Sequence, residues 1–336
     1  MSGNRVKVLN NGLVVRDVAF MGADHPIEVD IGGIQQIEIV KGPSSILYSN
    51  GAIGGIVNIV DRTISKEDVL ENVFNVGFES QSVNDGDNFN INYSGSVDGF
   101  NLFFSHSHKN LDNFDIPDEA VIHEEEEEGH EESSFLANSD SKMAATRLGI
   151  SKTGDWGYYG ISSVIIDQFN GVPFHGEEEH AEGEEEEEHE EERIFAVTDS
   201  SVINIEGEYL LDGIVNSIAY SLRETDSSLT EQHAEEEHEG EEEEEEEHGA
   251  TTFTNNSEEA QIILDISNAN NEQKLVFNLA NSDSSVVKEV GTPSMRPAET
   301  SESTIGYYLG TNFNELNMDL GIRYDQINVK GSNQTI

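Results

Sequence analysis

The residues of this chain best suited to chemistry are histidines embedded in three runs of glutamate, at 123–132, 177–192 and 233–248. Imidazole nitrogen and carboxylate oxygen are good ligands for Zn²⁺ and acceptable ones for Cu²⁺ and Ni²⁺. Eight of the eleven histidines lie in or beside these runs: His123, His130, His175, His180, His189, His233, His238 and His248. This pattern predicts capture of a divalent metal. The alternative is a solubilising, mutually repulsive surface that carries incidental histidines.

The spacing of these histidines defines no single tetrahedral site, so the runs are expected to act as a distributed, weak collector of cations. Enzymatic interpretations have little support. The sequence contains no Cys, no G-x-S-x-G, no H-E-x-x-H and no phosphate-binding loop. Its many carboxylate pairs lie in low-complexity runs, where no fixed geometry for acid–base chemistry is expected. The sequence therefore predicts a protein that is not an enzyme and uses no cofactor.

The composition further limits the classes of protein to which this chain could belong. The formal net charge is −51 and the pI is near 4.2. This balance argues against a nucleic-acid partner, because phosphate groups are bound by Lys and Arg. The absence of Cys excludes disulfides and thiolate metal sites. No apolar run reaches the roughly 20 residues that a membrane-spanning helix needs.

The elements that must position these residues are strands. From about residue 73 onward, apolar and polar residues alternate in segments of about ten residues, the length of a transmembrane strand. We predict about eleven strands, joined alternately by short turns and by long connections that include 110–141, 169–199 and 225–256. Short turns at one end and long loops at the other are typical of outer-membrane barrels. A soluble β-sandwich also alternates, but it has no reason to place every long loop at one end.

Residues 37–60 read IEIVKGPSSILYSNGAIGGIVNIV. Gly42-Pro43 is expected to stop a strand and open a short helical turn, and Gly54-Gly55 to allow a tight turn into the next strand. This stretch resembles the end of the plug domain of TonB-dependent outer-membrane receptors. Lys41 stands where that pattern usually has Arg, and Ser49 where it usually has Gly.

Residues 5–30 resemble the preceding plug stretch of the zinc-uptake receptors of this family, in which an Asp-His pair lies on the extracellular face and binds the metal. The resemblance assigns these roles to Asp24 and His25, within Ala23-Asp24-His25-Pro26. His25 is the only histidine before residue 60, and the rigid Pro26 helps to fix its backbone. The alternative is that His25 is a hydrogen-bonded turn residue.

The resemblance implies an all-β chain, in which the C-terminal part of a plug domain (1–65) precedes the first half of a transmembrane antiparallel barrel (66–336). About eleven of about 22 strands would be present, so we expect an open sheet and a fragment of a longer protein. It also implies a Gram-negative outer-membrane receptor, embedded in lipid. A TonB-type inner-membrane complex would drive import of a divalent metal, zinc above all; the segment that contacts this complex is expected to lie outside the chain. The alternatives are a receptor for a siderophore, haem or another chelate, and a metal-buffering surface protein without transport.

Overall fold

The computed structural model describes residues 6–18, 33–48, 55–117, 134–173, 193–234, 249–293, 295–313 and 316–331. The strands form a four-stranded N-terminal sheet, an eleven-stranded large sheet and a small two-stranded hairpin. Across these residues, no helix has the length and apolar character needed to cross a bilayer.

The N-terminal sheet contains β1 (Lys7–Asn10), β2 (Leu13–Val14), β3 (Ile34–Val40) and β4 (Ile56–Asp61), in the order β2-β1-β4-β3. The central strand β4 pairs in parallel with β1 and antiparallel with β3. Leu9, Leu13 and Ile56 are the almost completely buried apolar side chains of this sheet.

The Gly42-Pro43 step ends β3 as the sequence predicts. Gly42 has a φ of 84°, which favours glycine, and a 3₁₀ helix follows at Pro43–Leu47. The Ser45 hydroxyl donates to the Gly42 carbonyl at 2.8 Å and closes this turn. Gly55, before β4, also has a positive φ, of 109°. The predicted end of β3 at Gly42 and the predicted turn before β4 at Gly55 are therefore confirmed.

The large sheet is an antiparallel meander in which each strand pairs with its neighbours in sequence. Its strands are β5 (Val73–Gln81), β6 (Gly86–Val97), β7 (Phe100–Leu111), β10 (Ser141–Gly154), β11 (Gly157–Gly171), β12 (Arg193–Leu210), β13 (Ser217–Ala234), β14 (Thr251–Asp265), β15 (Asn271–Lys288), β16 (Ala298–Phe313) and β17 (Leu316–Gly331). The hairpin of β8 (Phe114–Asp115) and β9 (Phe135–Leu136) lies between β7 and β10. β5 and β17 form the two edges and do not pair with each other. The predicted all-β class, strand number and open sheet are confirmed.

Several strands extend beyond their predicted ends, into what the sequence suggested were loops. β13 runs to Ala234, whereas the sequence placed its end near residue 224. The reason is that alternation continues through a polar stretch. Thr225, Ser227 and Leu229 are buried, while the neighbouring Glu224 and Asp226 are exposed. The three long connections therefore shorten to 112–140, 172–192 and 235–250. His233 belongs to a strand, although it was expected in a loop.

The three long connections all lie at one end of the sheet, as their positions in an antiparallel meander require, and the short connection between β5 and β6 lies at the same end. Short turns follow β6, β10, β12, β14 and β16, and the long connections follow β7, β11 and β13. The connections that carry the Glu/His runs therefore all leave and rejoin the sheet at one end. The runs themselves, except for His233 and Ala234, lie outside the described residues.

The two faces of the large sheet reverse the burial rule of soluble proteins. The inward face, which contacts the N-terminal sheet, buries polar side chains: Ser151, Ser162, Asn204, Glu206, Arg223, Ser227, Asn255, Glu259, Gln261 and Asn278. The outward face exposes apolar ones: Ile161, Ile165, Ile203, Ile205, Leu222, Ile262, Phe277, Leu279 and Ile305. An apolar exterior around a polar interior is the pattern of a transmembrane barrel wall.

Candidate functional site: the interface between the N-terminal sheet and the barrel wall

Arg16 connects the N-terminal sheet to two strands of the wall. Its guanidinium forms ion pairs with Glu259 of β14 at 3.3 Å and Glu302 of β16 at 3.0 Å. A second nitrogen, Nη1, donates to the other oxygen of Glu302 at 3.4 Å, so this pair is bidentate. Burial alone would lower the pKa of Arg16, but the Glu259 and Glu302 carboxylates outweigh it and raise that pKa. Arg16 therefore stays cationic under all physiological conditions.

Neighbouring amides complete the surroundings of this ion pair. Asn278 donates to Glu259 Oε1 at 2.7 Å, and Asn255 donates to the backbone carbonyl of Arg16 at 3.0 Å. The Glu259 side chain is only 3 % exposed. A buried carboxylate with both a cation and an amide donor is well compensated, and removing the cation would leave it buried without its charge partner.

Arg223 provides a second connection, from the wall to β1. Its Nη2 lies 3.0 Å from both the backbone carbonyl oxygen and the side-chain oxygen of Asn10. Arg223 stands directly opposite Glu259 in the register of β13 and β14. The two connections therefore meet on adjacent strands and form one polar network.

The 3₁₀ helix is the third connection. Leu47 packs against Val276 and Tyr308, two buried residues of the wall. Arg323 of β17 donates to the Ile46 carbonyl at 2.6 Å and forms an ion pair with Asp325 at 2.7 Å. This cap satisfies a carbonyl at the end of the helix, which has no partner within the helix.

A cavity of about 40 Å³ remains between these contacts, lined by Lys7, Val14, Arg16, Tyr48, Glu259, Asn278, Glu302 and Arg323. It has room for only a few water molecules. Burial raises the pKa of Tyr48, so its phenol is neutral at physiological pH. Since Arg16, Glu259, Glu302 and Arg323 already pair with one another or with other groups, this part of the interface holds the two bodies together and is too small for a chelate.

The predicted metal ligands fall almost entirely outside the described residues. This holds for Asp24, His25, His123, His130, His175, His180, His189, His238 and His248. His233 is described in its backbone, which pairs with Ile194 in β12. No group of three or more potential metal ligands occurs within the parts of the chain that the structure covers. The metal-binding roles of these residues therefore stay predictions.

Val18 is the last described residue before the segment that carries Asp24 and His25. It packs against Leu229 and Ala196, with Phe253 beside them. Leu229 lies in the part of β13 closer to Ala234 than to Ser217, and therefore nearer the end of the long connections. Val18 therefore lies against the half of the wall from which the long connections leave.

Sequence reasoning missed Arg16, Arg223, Glu259 and Glu302. A usable signal existed, because Arg223 and Glu259 are charged residues at positions that the alternation assigns to the polar face of strands. The alternation cannot identify their partners, since Arg16 and Glu302 are separated by 286 residues.

Comparison with known proteins agrees with this architecture. Residues 1–56 match the family described as the TonB-dependent Receptor Plug Domain. The copper transporter OprC superimposes with a TM-score of 0.74 at 12 % sequence identity, over 99 % of this chain and 50 % of its own. The fold is that of a TonB-dependent receptor.

Two further solved structures show the same fold. The FrpB iron transporter of Neisseria meningitidis gives a TM-score of 0.69 at 12 % identity, over 97 % of this chain and 52 % of its own. The ferripyoverdine receptor of Pseudomonas aeruginosa gives 0.61 at 13 % identity, over 98 % and 46 %. This chain thus spans about half the length of the solved receptors that it matches.

Proposed function

We propose that this chain is part of a TonB-dependent outer-membrane receptor that imports a divalent metal, with zinc as the preferred cargo. The observation that carries the proposal is a plug-like N-terminal sheet seated against the polar face of a wall whose other face is apolar. A lumen obstructed by a seated domain needs energy to open. Coupling to a TonB-type inner-membrane complex is the source of energy that the family match suggests. Transport, rather than catalysis, is the role that this arrangement serves.

The outward face supports a position in the outer membrane. Trp156, Tyr159, Tyr209 and Tyr220 form an aromatic cluster near the short turns, in which adjacent ring centroids are 5.5 to 6.2 Å apart. Aromatic rings with a polar group are favoured where hydrocarbon meets water. Apolar residues such as Ile161, Ile203 and Ile205 continue from this cluster along the wall. The cluster is expected to mark the periplasmic boundary of the bilayer.

The preference for zinc rests on ligand chemistry in the sequence. Neutral imidazole and carboxylate form a good ligand set for Zn²⁺. The large negative charge would concentrate cations near the mouth, an effect that salt weakens. Asp24 and His25 would hold the tighter site, because ligands fixed on a folded domain lose less entropy on binding than ligands in long connections.

Zinc titration calorimetry on the full-length receptor tests this assignment. In a variant with Asp24→Ala and His25→Ala, we expect the tightest site to disappear while weak sites in the connections persist. The matched control is His108→Ala with Asp167→Ala, which removes one imidazole and one carboxylate from the outward face. Tight binding that survives in the first variant would reject the Asp24-His25 site. Binding should also weaken below about pH 6, where imidazole becomes protonated.

Copper or chelated iron is the second candidate cargo, because solved receptors with this fold carry those names. Uptake of zinc, copper and an iron–siderophore complex should be compared in cells that express the full-length receptor, with and without a protonophore. Protonophore-sensitive uptake of zinc above the other two supports the proposal. Protonophore-sensitive uptake of only copper or the iron complex would replace zinc as the cargo.

A further inference from the structure

Residues 62–72 join β4 of the N-terminal sheet to β5 of the large sheet, and we call the part at 62–70 the linker. The linker lies against the wall. The linker contacts inward residues of β7, β10, β11 and β12, four adjacent strands of the wall.

The wall is shaped to receive the linker. A side chain at Gly149 would collide with the backbone carbonyl of Thr63, and one at Gly160 would collide with Ile64. Thr63 is 2 % exposed and Ile64 is 4 % exposed. Two glycines on neighbouring strands thus leave the space that the linker backbone and side chains fill.

Hydrogen bonds from wall side chains then hold the linker backbone at three points. Ser151 donates to the Ser65 carbonyl at 2.7 Å. Buried Asn101 accepts from the Val69 amide at 3.0 Å and donates to the Glu67 carbonyl at 3.2 Å. The side chains of Thr153 and Asp68 are also hydrogen-bonded. Backbone contacts of this kind are made to one conformation of a segment, so they fix its path.

Charge adds a further attachment. The ammonium group of Lys66 lies 3.5 Å from the buried carboxylate of Glu206 and 5.5 Å from the centre of the Tyr158 ring. Burial alone would lower the pKa of Lys66, but the charge of Glu206 outweighs it, with a further contribution from Tyr158, and raises that pKa. The cation therefore persists at physiological pH, and Glu206 keeps its partner.

We propose that the linker is a permanent anchor, which stays on the barrel wall during transport while the N-terminal sheet before Asp61 moves. This inference rests on the proposed function. It follows from a contrast in the contacts. The linker contacts the wall at every residue from Thr63 to Val69, whereas the N-terminal sheet and the 3₁₀ helix contact it at separated residues such as Asn10, Arg16 and Leu47. Separated contacts can break one at a time, whereas a run of consecutive contacts has to be released together.

This chain has no Cys, so paired cysteines can test the anchor once any cysteine in the rest of the full-length receptor is replaced with Ser. One receptor carries Asp68→Cys and Thr153→Cys, which join the linker to the wall. The comparison receptor carries Ile46→Cys and Gly321→Cys, which join the 3₁₀ helix to β17, where Ile46 occupies the space beside Gly321. Each pair is bridged in full-length receptor with a short bis-methanethiosulfonate reagent, and zinc uptake is measured before bridging, after bridging and after reduction.

We expect bridging to leave uptake unchanged in the linker pair and to abolish it in the 3₁₀-helix pair, with recovery after reduction. Loss of uptake on bridging the linker pair, reversed by reduction, would overturn the anchor. Unchanged uptake in the bridged 3₁₀-helix pair would overturn the movement of the N-terminal sheet. Absence of zinc uptake in the cysteine-free receptor would instead count against the proposed function.

A second measurement does not depend on the cargo. It tests the anchor even if the receptor takes up no zinc or a paired-cysteine variant folds poorly. Receptors with a single Ser65→Cys or a single Ile46→Cys are treated with a membrane-impermeant maleimide from the periplasmic side, in energised and protonophore-treated cells. Labelling at position 46 should rise in energised cells, and labelling at position 65 should not change. A rise at position 65 equal to that at position 46 would overturn the anchor, whatever the cargo.

Discussion

The two main sheets of this molecule share alternation but differ in the side chains that they bury most deeply. The N-terminal sheet buries Leu9, Leu13 and Ile56, as a water-soluble domain does. The large sheet buries Glu206 and Glu259 and leaves residues such as Ile203 exposed. The difference shows that alternation specifies two faces of a sheet but not which face lies inside. That choice depends on the solvent, and the proposed function places the outward face of the wall in lipid.

The largest expected effect comes from the ion pair that joins the two sheets. Replacing Arg16 with Gln leaves the buried Glu259 without its cation, and should destabilise the seating of the N-terminal sheet by about 3–5 kcal/mol. Limited proteolysis in denaturant, followed at the N-terminal sheet, measures this loss. Glu302→Gln, at a more exposed carboxylate, should cost less. Equal losses would show that the pair is not the principal connection.

The second expected effect compares a buried residue of the N-terminal sheet with an outward residue of the large sheet. Leu9→Ala should destabilise the N-terminal sheet by about 2–5 kcal/mol, because it opens a cavity among fully buried side chains. Ile203→Ala on the outward face is the matched control and should have little effect, since Ile203 is 46 % exposed within the protein. Urea titration of the purified receptor compares the two. A control loss as large as that of Leu9→Ala would contradict the assignment of faces.

The third prediction concerns a charged residue, rather than Ala, at position 203 on the outward face. Ile203→Arg places a charge on the proposed lipid face and should weaken folding into bilayers by about 2–4 kcal/mol if this position lies near the midplane. Folding of the full-length receptor into lipid vesicles, measured against denaturant, gives the value. Ser162→Arg, on the inward face, tests whether the cost depends on the face rather than on the new charge. Unperturbed folding of Ile203→Arg would place this residue outside the bilayer.

The smallest expected effect concerns a pair of ions that water can reach. Lys274 and Glu272 lie 2.7 Å apart with side chains 31 % and 52 % exposed. Lys274→Gln should therefore change stability by less than about 1 kcal/mol. Thermal unfolding in low and high salt measures this change, and a loss comparable to that of Arg16→Gln would show that exposure does not separate the two pairs.

Particular elements show how far sequence reasoning reached. It predicted the end of β3 at Gly42-Pro43, because Gly42 permits a positive φ and Pro43 has a fixed φ and no backbone N–H. It predicted the number of strands in the large sheet from alternation and connection lengths. It placed the end of β13 too early, because Thr225 and Ser227 look like loop residues until the polar inward face is recognised.

The sequence by itself determined the class of fold, because alternation, glycine turns and connection lengths are local properties. It also determined which side chains carry metal-ligand chemistry, although their roles stay predictions. Only the tertiary structure decided that Arg16 pairs with Glu259 and Glu302, and that Thr63 and Ile64 lie over Gly149 and Gly160. These contacts join residues far apart in the chain. They depend on how the N-terminal sheet sits against the wall, and no local pattern specifies that placement.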